Sequence, residues 1–359
     1  MLRKIRVAAC IVLTCLAIFP AAGQNSTFKV MTQNMDAGTD LGFALYGLAQ
    51  PDPRPYVDLT LAEITASGIP QRAEHLAAEI ENQKPDIVSL QEVFLWRTGL
   101  TPATANTVLY DQLQLLMAGL QGPDVEVPYR VVAVNNLMDA ALPTTSEGPG
   151  ALRLTDRDVM LARADLPPAQ FQISNVHLHV YKAALTFGDL TNRRGFITAL
   201  VRFHNKLFRI ANTHLENPFP GLPVDPAAIQ LLQAQELVAF MHHWPQPVIL
   251  SGDYNSDAIQ GTNGPGPDNT ATATFIEEAG YADSWAVANG ATTGPTWPLF
   301  LEDQAPPNFF KTTTPYERID LIFSRGLHVV SSVQVGAGET YPYAASDHTG
   351  VVTTFQFAQ

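Results

Sequence analysis

Apolar and polar positions along this chain fall into short, β-branched runs that each close on a cluster of polar side chains. Phe28 to Thr32 runs into Gln33-Asn34, Asp86 to Leu90 into Gln91-Glu92, and Leu207 to Ala211 into Asn212-Thr213-His214. Pro247 to Leu250 runs into Ser251-Gly252-Asp253-Tyr254-Asn255, and Arg318-Ile319-Asp320 leads into Leu321-Ile322-Phe323. Ser346-Asp347-His348 precedes the last run, Val351 to Phe355. Runs of this length and composition predict strands, here with reactive side chains at their ends. Val201-Arg202-Phe203 and Leu207 to Ile210 flank His204-Asn205-Lys206, the pattern of a hairpin.

Helical spacing lies between some of these runs. From Ile69, apolar residues recur at Ala73, Leu76, Ala77 and Ile80, opened by Pro70 and closed before Pro85. Asp225 caps a second helix with Pro226 at its first position, reaching about His243. A third covers Thr272 to Ala279 and stops at Gly280. Hairpins mixed with strand-helix-strand units predict an α/β fold of mixed sheets with helices outside. Segments 36–68 and 286–316, with many Pro, Gly and Thr residues, read as long surface loops.

The first residues read as an export signal: basic Arg3, Lys4 and Arg6, an apolar run from Val7 to Phe19, then small residues for cleavage at Pro20-Ala21-Ala22-Gly23. The expectation is a signal over 1–23, one catalytic domain over 24–359, and a secreted or periplasmic protein. Both cysteines, Cys10 and Cys15, lie inside that signal, so the remainder has no disulfide, thiolate zinc site or cysteine nucleophile. The formal charge is −13, and removing 1–23 takes away only positive charges. Binding of nucleic acid or anionic membrane by bulk charge is therefore disfavoured, unless a metal cation supplies positive charge locally.

Asn34, Glu92, Asp253, Asn255 and Asp347 offer only oxygen ligands, which suits a hard cation such as Mg²⁺, Mn²⁺ or Ca²⁺. His214 and His348 stand at comparable strand ends and can move protons or bond a phosphate oxygen. Each residue alone also fits a turn or a cap. Taken in order, Gln33-Asn34, Leu90-Gln91-Glu92-Val93, Asn212-Thr213-His214-Leu215, Gly252-Asp253-Tyr254-Asn255, Arg318-Ile319-Asp320-Leu321-Ile322 and Ser346-Asp347-His348 resemble the signature of the endonuclease/exonuclease/phosphatase superfamily, the group around DNase I, apurinic endonucleases and neutral sphingomyelinases.

That resemblance implies a four-layer αββα sandwich, two β-sheets flanked by helices, with the site where strand ends meet. It implies Glu92 as principal metal ligand with Asn34 beside it and Asp347 nearby. Asp253 resembles the residue that orients or deprotonates the attacking water, and Asn255 one that holds the scissile phosphate. His348 with Asp320 resembles a catalytic dyad, while His214 would bond a phosphate oxygen or assist the leaving group. Protonated His348 and His214 could both stabilise charge growing on the phosphorus.

Weaker candidates are Arg194, either a substrate contact or a solvated turn, and Trp297, either a pocket wall or a loop anchor. His177 and His179 lack a carboxylate at matching spacing and read as structural. His242-His243 reads as a helix end that meets terminal carbonyls. The function expected is an exported, divalent-metal-dependent hydrolase of phosphate esters, a phosphodiesterase acting as a monomer on nucleic acid or a phospholipid head group. Phe300, Phe309 and Phe310 either reach a lipid surface or cover the core. A phosphomonoesterase, or a binding module that has lost catalysis, are the other readings.

Overall fold

The computed structural model describes residues 27–358 save 124, 146–149, 188–189, 219–223, 246, 260–268, 303 and 305, so residues 1–23, where an export signal is expected, lie outside the described residues. Two large sheets face each other. The first has eight strands and runs β17 (Leu327–Val335), β18 (Gly350–Phe357), β1 (Thr27–Asn34), β2 (Ile87–Gln91), β6 (Ala151–Arg163), β3 (Leu95–Gly99) and β4 (Thr107–Asp111), with β5 (Tyr129–Pro143) also paired to β6. The second has six: β13 (Ala282–Asp283), β16 (Asp320–Arg325), β12 (Val248–Asp253), β11 (Lys206–His214), β10 (Gly195–Phe203) and β7 (Phe171–Val180). Two small hairpins, β8 (Leu185–Phe187) with β9 (Leu190–Asn192) and β14 (Phe300–Leu301) with β15 (Lys311–Thr312), stand apart.

Period-two alternation builds the layers. Phe28 and Val30 of β1 and Ile87 of β2 enter the core between the sheets with Phe208 and Ile210 of β11 and Ile249 of β12. Their neighbours Met31, Val88 and Leu90 point the other way, onto α3 (Ile69–Gln83) and α4 (Gln112–Leu120). On the far side, Ala211, Val248 and Leu250 meet α5 (Pro226–His242) and α6 (Ala271–Glu278). Asp225 accepts from the Ala227 amide at 3.0 Å, the cap that the sequence predicts. The result is the αββα sandwich.

Register decides where the site lies. β1 and β2 are parallel with Asn34 beside Gln91, and β11 and β12 are parallel with His214 beside Asp253. β16 runs antiparallel to β12 and brings Asp320 opposite Asp253. Gly252 is required there, because a Cβ would collide with the Thr213 carbonyl of the neighbouring strand.

Segment 36–68 is not the loop expected of it. It folds into α1 (Gly42–Leu48) and α2 (Arg54–Ala66), with Val57, Thr60 and Ile64 of α2 buried. Its prolines mislead a reading for loops: Pro53 is the N-cap and Pro55 lies in the first turn, where a missing amide costs nothing. Segment 286–316 likewise carries part of α7 (Ser284–Asn289) and the β14–β15 hairpin. Phe300 and Phe309 are buried, and Phe310 stacks on Tyr341 at 4.5 Å between centroids, so these rings cover the core rather than reach a lipid surface.

Candidate active site

Strand ends from both sheets converge on one cleft of about 980 Å³, lined by Glu92, Arg194, Asp253, Asn255, Trp297, Asp347 and His348 among others. Two of these residues sit in the left-handed region, Glu92 at φ 54° and Asn255 at φ 48°. Such backbone persists only where its surroundings hold it. Around Glu92, Val93 and Phe94 give up their carbonyls to the Arg157 guanidinium at 2.7 and 3.2 Å, and Arg157 is fixed in turn by Asp111 at 2.6 Å.

Asn34 joins the sheets at the site. Its Nδ2 donates to Asp253 Oδ2 at 3.0 Å and its side chain hydrogen-bonds Glu92, while its Oδ1 accepts from the Asp36 amide at 2.8 Å. Asp253 is held again by the Asn255 amide at 2.8 Å. Burial first, then the nearby Asp320 charge, pushes the Asp253 carboxyl up to about 7. Asp347 reaches about 7 mainly through burial, against the pull of His348, while Trp297 Nε1 donates to its Oδ2 at 2.9 Å. Trp297 thus lines the cleft and also fixes Asp347.

His348 and Asp320 form a pair, with Nδ1 to Oδ2 at 2.8 Å. Burial alone would lower the histidine, but Asp320 and Asp347 outweigh it and hold it well above its usual range. Among the described residues, Asp253, Asp320 and His348 are the three titratable groups whose ligand atoms lie within 4.8 Å of one another. That trio differs from the Asn34, Glu92 and Asp347 set that the resemblance implies for the metal. The short Asp320–His348 contact is a hydrogen bond, which leaves Nε2, 3.8 Å from Asp347, as the free end of the ring.

His214 departs from expectation. Arg194 Nη1 lies 2.7 Å from its Nδ1, and a guanidinium can only donate, so Nδ1 is the acceptor and the ring is neutral with its proton on Nε2. Burial, Arg194 and His348 all drive it well below its usual value. His214 is therefore a neutral imidazole, not a cation, and its Nε2 meets the Asn255 side-chain amide at 3.1 Å, with Asp253 at 3.5 Å and Glu92 at 4.0 Å. Arg194 itself is buried and paired with Asp156 at 3.2 Å, so it is not a solvated turn.

The histidines read as structural make local contacts. His179 meets Glu236 at 2.7 Å, His177 meets Asn175 at 2.6 Å, and His243 Nδ1 meets the Ala239 carbonyl at 2.7 Å.

Asp156 and Asp158 on β6 were missed by sequence reading. Both are buried, and Asp158 has neither oxygen hydrogen-bonded among the described residues. The available signal was Thr155-Asp156-Arg157-Asp158, a charged stretch inside an otherwise apolar strand. With Glu92, Asp253, Asp320 and Asp347 these groups put far more buried carboxylates here than Arg194 and His348 can balance. An oxygen donor set with that surplus fits a hard divalent cation.

A two-sheet sandwich with acid and histidine groups gathered at its strand ends defines a hydrolase of phosphoric ester bonds. The sequence model of the endonuclease/exonuclease/phosphatase family matches residues 31–348, and the chain belongs to that family, whose members hydrolyse such bonds with a divalent metal. Solved structures similar to it include a family member from Leptotrichia buccalis, at 14% identity and TM-score 0.54 over 92% of this chain and 100% of that one. Another, from Beutenbergia cavernae, has 21% identity and TM-score 0.56 over 92% of this chain and 72% of that one. D. rerio TDP2 complexed with a single-strand DNA product has 16% identity and TM-score 0.52 over 92% and 99%. No match is found among curated protein sequences.

Proposed function

We propose that this protein is a divalent-cation-dependent phosphodiesterase in which Asp253 takes the proton of the attacking water. The convergence of Asp253, Asp320 and His348 within 4.8 Å, beside Glu92 and Asp347, is the observation that supports this reading most strongly. Glu92 and Asp347, with Asn34 adjacent, are the residues that would hold the cation, Mg²⁺ first and Mn²⁺ or Ca²⁺ as alternatives. When bound, the cation neutralises phosphoryl oxygens that otherwise repel a nucleophile.

The chain's own groups supply the rest. Asp253, raised to about 7 and aimed by Asn34 and the Asn255 amide, is a carboxyl that can exchange a proton near neutral pH. Asn255, which lines the cleft, is the residue we assign to the phosphate oxygens, with the buried His214 behind it at 3.1 Å. His348, kept protonated by Asp320, offers Nε2–H to charge growing on the phosphorus. Arg194 donates to His214 Nδ1 and keeps that ring neutral.

The test is a substrate panel with each of the three cations, comparing bis-p-nitrophenyl phosphate, DNA, RNA, phospholipids and inositol phosphates. Glu92→Ala and His348→Ala should each abolish measurable turnover. Activity on monoesters alone would overturn the assignment. We also propose export, supported by the basic start and apolar run of residues 1–23, and checked by sequencing the N-terminus of protein recovered outside the cytoplasm.

A further inference from the structure

Phosphodiesterase chemistry leaves open what the phosphorus carries. The cleft of about 980 Å³ has two unlike parts to its lining. One is acidic: beyond Glu92, Asp253 and Asp347, its lining includes Glu317 and also Asp36 and Asp156, which are ion-paired with Arg72 and Arg194. Among the described residues that line it, Arg194 is the sole arginine and there is no lysine.

The other part is apolar. α1 contributes Leu45 and Leu48, three apart and so on one helical face, and Leu41 at its N-cap joins them. The β5–β6 hairpin contributes Met138, Leu142 and Leu154, which pack with Leu41 in one apolar cluster. This surface continues to the mouth, where Leu48 at 39% and Val224 at 48% exposure stand on the rim.

Taking the site to be a phosphodiesterase, we propose that its substrate carries a single phosphate and a hydrocarbon arm, and that the arm lies on the α1 and β5–β6 wall. A polynucleotide would bring a further phosphate on each side of the scissile one. Proteins that hold such chains meet those phosphates with arginine, lysine or backbone donors. Here the flanking phosphates would meet a lining whose one arginine is already paired with Asp156 and which has no lysine among its described residues. A hydrocarbon arm brings no second negative charge, and it removes from water the leucine surface of Leu41, Leu45, Leu48 and Leu142 that a polar substrate would leave exposed.

The experiment is a series of p-nitrophenyl alkyl phosphate diesters with methyl, butyl and octyl arms, assayed with saturating Mn²⁺. In the wild type, kcat/KM should rise about two- to fourfold per methylene over the first few carbons. In Leu45→Asp the octyl-to-methyl ratio should fall by roughly tenfold or more. Leu48→Asp repeats the test at a position exposed enough to accept the charge without loss of fold.

A wild-type profile flat in chain length, a ratio that survives both substitutions, or a single-stranded oligonucleotide cut with higher kcat/KM than the octyl ester would each overturn the proposal. Failure to cut even the methyl ester with Mg²⁺, Mn²⁺ or Ca²⁺ is a different result, and it would overturn the phosphodiesterase reading together with this one. Dihexanoyl phosphatidylcholine as monomers and dioleoyl phosphatidylcholine in vesicles then separate the two sources of such an arm. Preferred hydrolysis of the first supports a soluble amphiphile, and of the second a bilayer.

Discussion

Gln91 Nε2 donates to Asn212 Oδ1 at 2.7 Å across the buried face between the two sheets. Asn212 completes the clasp by donating from Nδ2 to the carbonyls of Leu90 at 3.1 Å and Val159 at 2.9 Å. Every polar atom of the Asn212 side chain is used, and each end of the clasp is within two residues of Glu92 or His214. The sandwich core is therefore not purely apolar at this end. A fixed set of hydrogen bonds sets the height of one sheet's catalytic edge against the other's.

Replacing Asn212 by Leu strands the Gln91 amide and two carbonyls in a region that water does not reach. The expected cost is about 2–4 kcal/mol of unfolding free energy. A urea titration should show a lower midpoint at an unchanged m-value. A midpoint within error of the wild type would mean that the two sheets do not depend on this clasp.

Asp320→Asn keeps an oxygen near His348 Nδ1 and removes the charge that helps raise the histidine. Activity that needs protonated His348 is present below its pKa and lost as pH rises through it. Lowering that pKa moves the alkaline limb of the kcat profile to lower pH, and kcat itself should fall on the order of a hundredfold. A limb that stays in place would assign it to another group.

Asp253 and Asp347, both raised to about 7, must give up protons before a cation can draw fully on their charge. The rise in melting temperature produced by Mg²⁺ or Mn²⁺ should grow from pH 6 to pH 8, and a chelator should remove it along with activity. Trp297→Phe deletes the 2.9 Å bond to Asp347 Oδ2 and should weaken cation affinity by about 10–100-fold. Calorimetry showing equal affinity would reduce Trp297 to a wall of the cleft.

Far from the cleft, burial and the neighbouring Glu339 push the Glu79 carboxyl up to about 8. Between about pH 4.5 and 8 the folded chain binds a proton there that the unfolded chain has released, so stability declines as pH rises through that window. Glu79→Gln should flatten the decline and stabilise the protein at pH 8.5 by roughly 1–3 kcal/mol. Parallel stability-pH curves for the two proteins would show that Glu79 is not the cause.

Strand ends were legible because alternation fixes where a run stops, and the polar residue at the stop is visible without knowing its partner. Asn34, Glu92, Asp253 and His348 needed no more than that to be noticed. The neutral state of His214 was not legible, since it depends on Arg194, which register alone brings to its Nδ1. Asp156 and Asp158 were hidden inside a strand, where a charge is outvoted by its apolar neighbours. Gln91 and Asn212 were read as part of a motif, and their pairing across sheets is invisible along the chain. The helices of 36–68 were lost to prolines that mark a helix start as readily as a turn.

β18 lies antiparallel beside β1, with Thr27 opposite Gln356. The first and last described strands are thus neighbours inside one sheet, with β17 alone beyond them on that side. Loop closure over almost the whole chain must precede that pairing, which makes it a late and slow event in folding. Until it happens, Asp347 and His348 have no fixed place and β1 keeps an open edge. A ribosome-bound chain, however long, carries no working site before its final strand docks, and a product shortened at the C-terminus would be both inert and prone to edge-to-edge association.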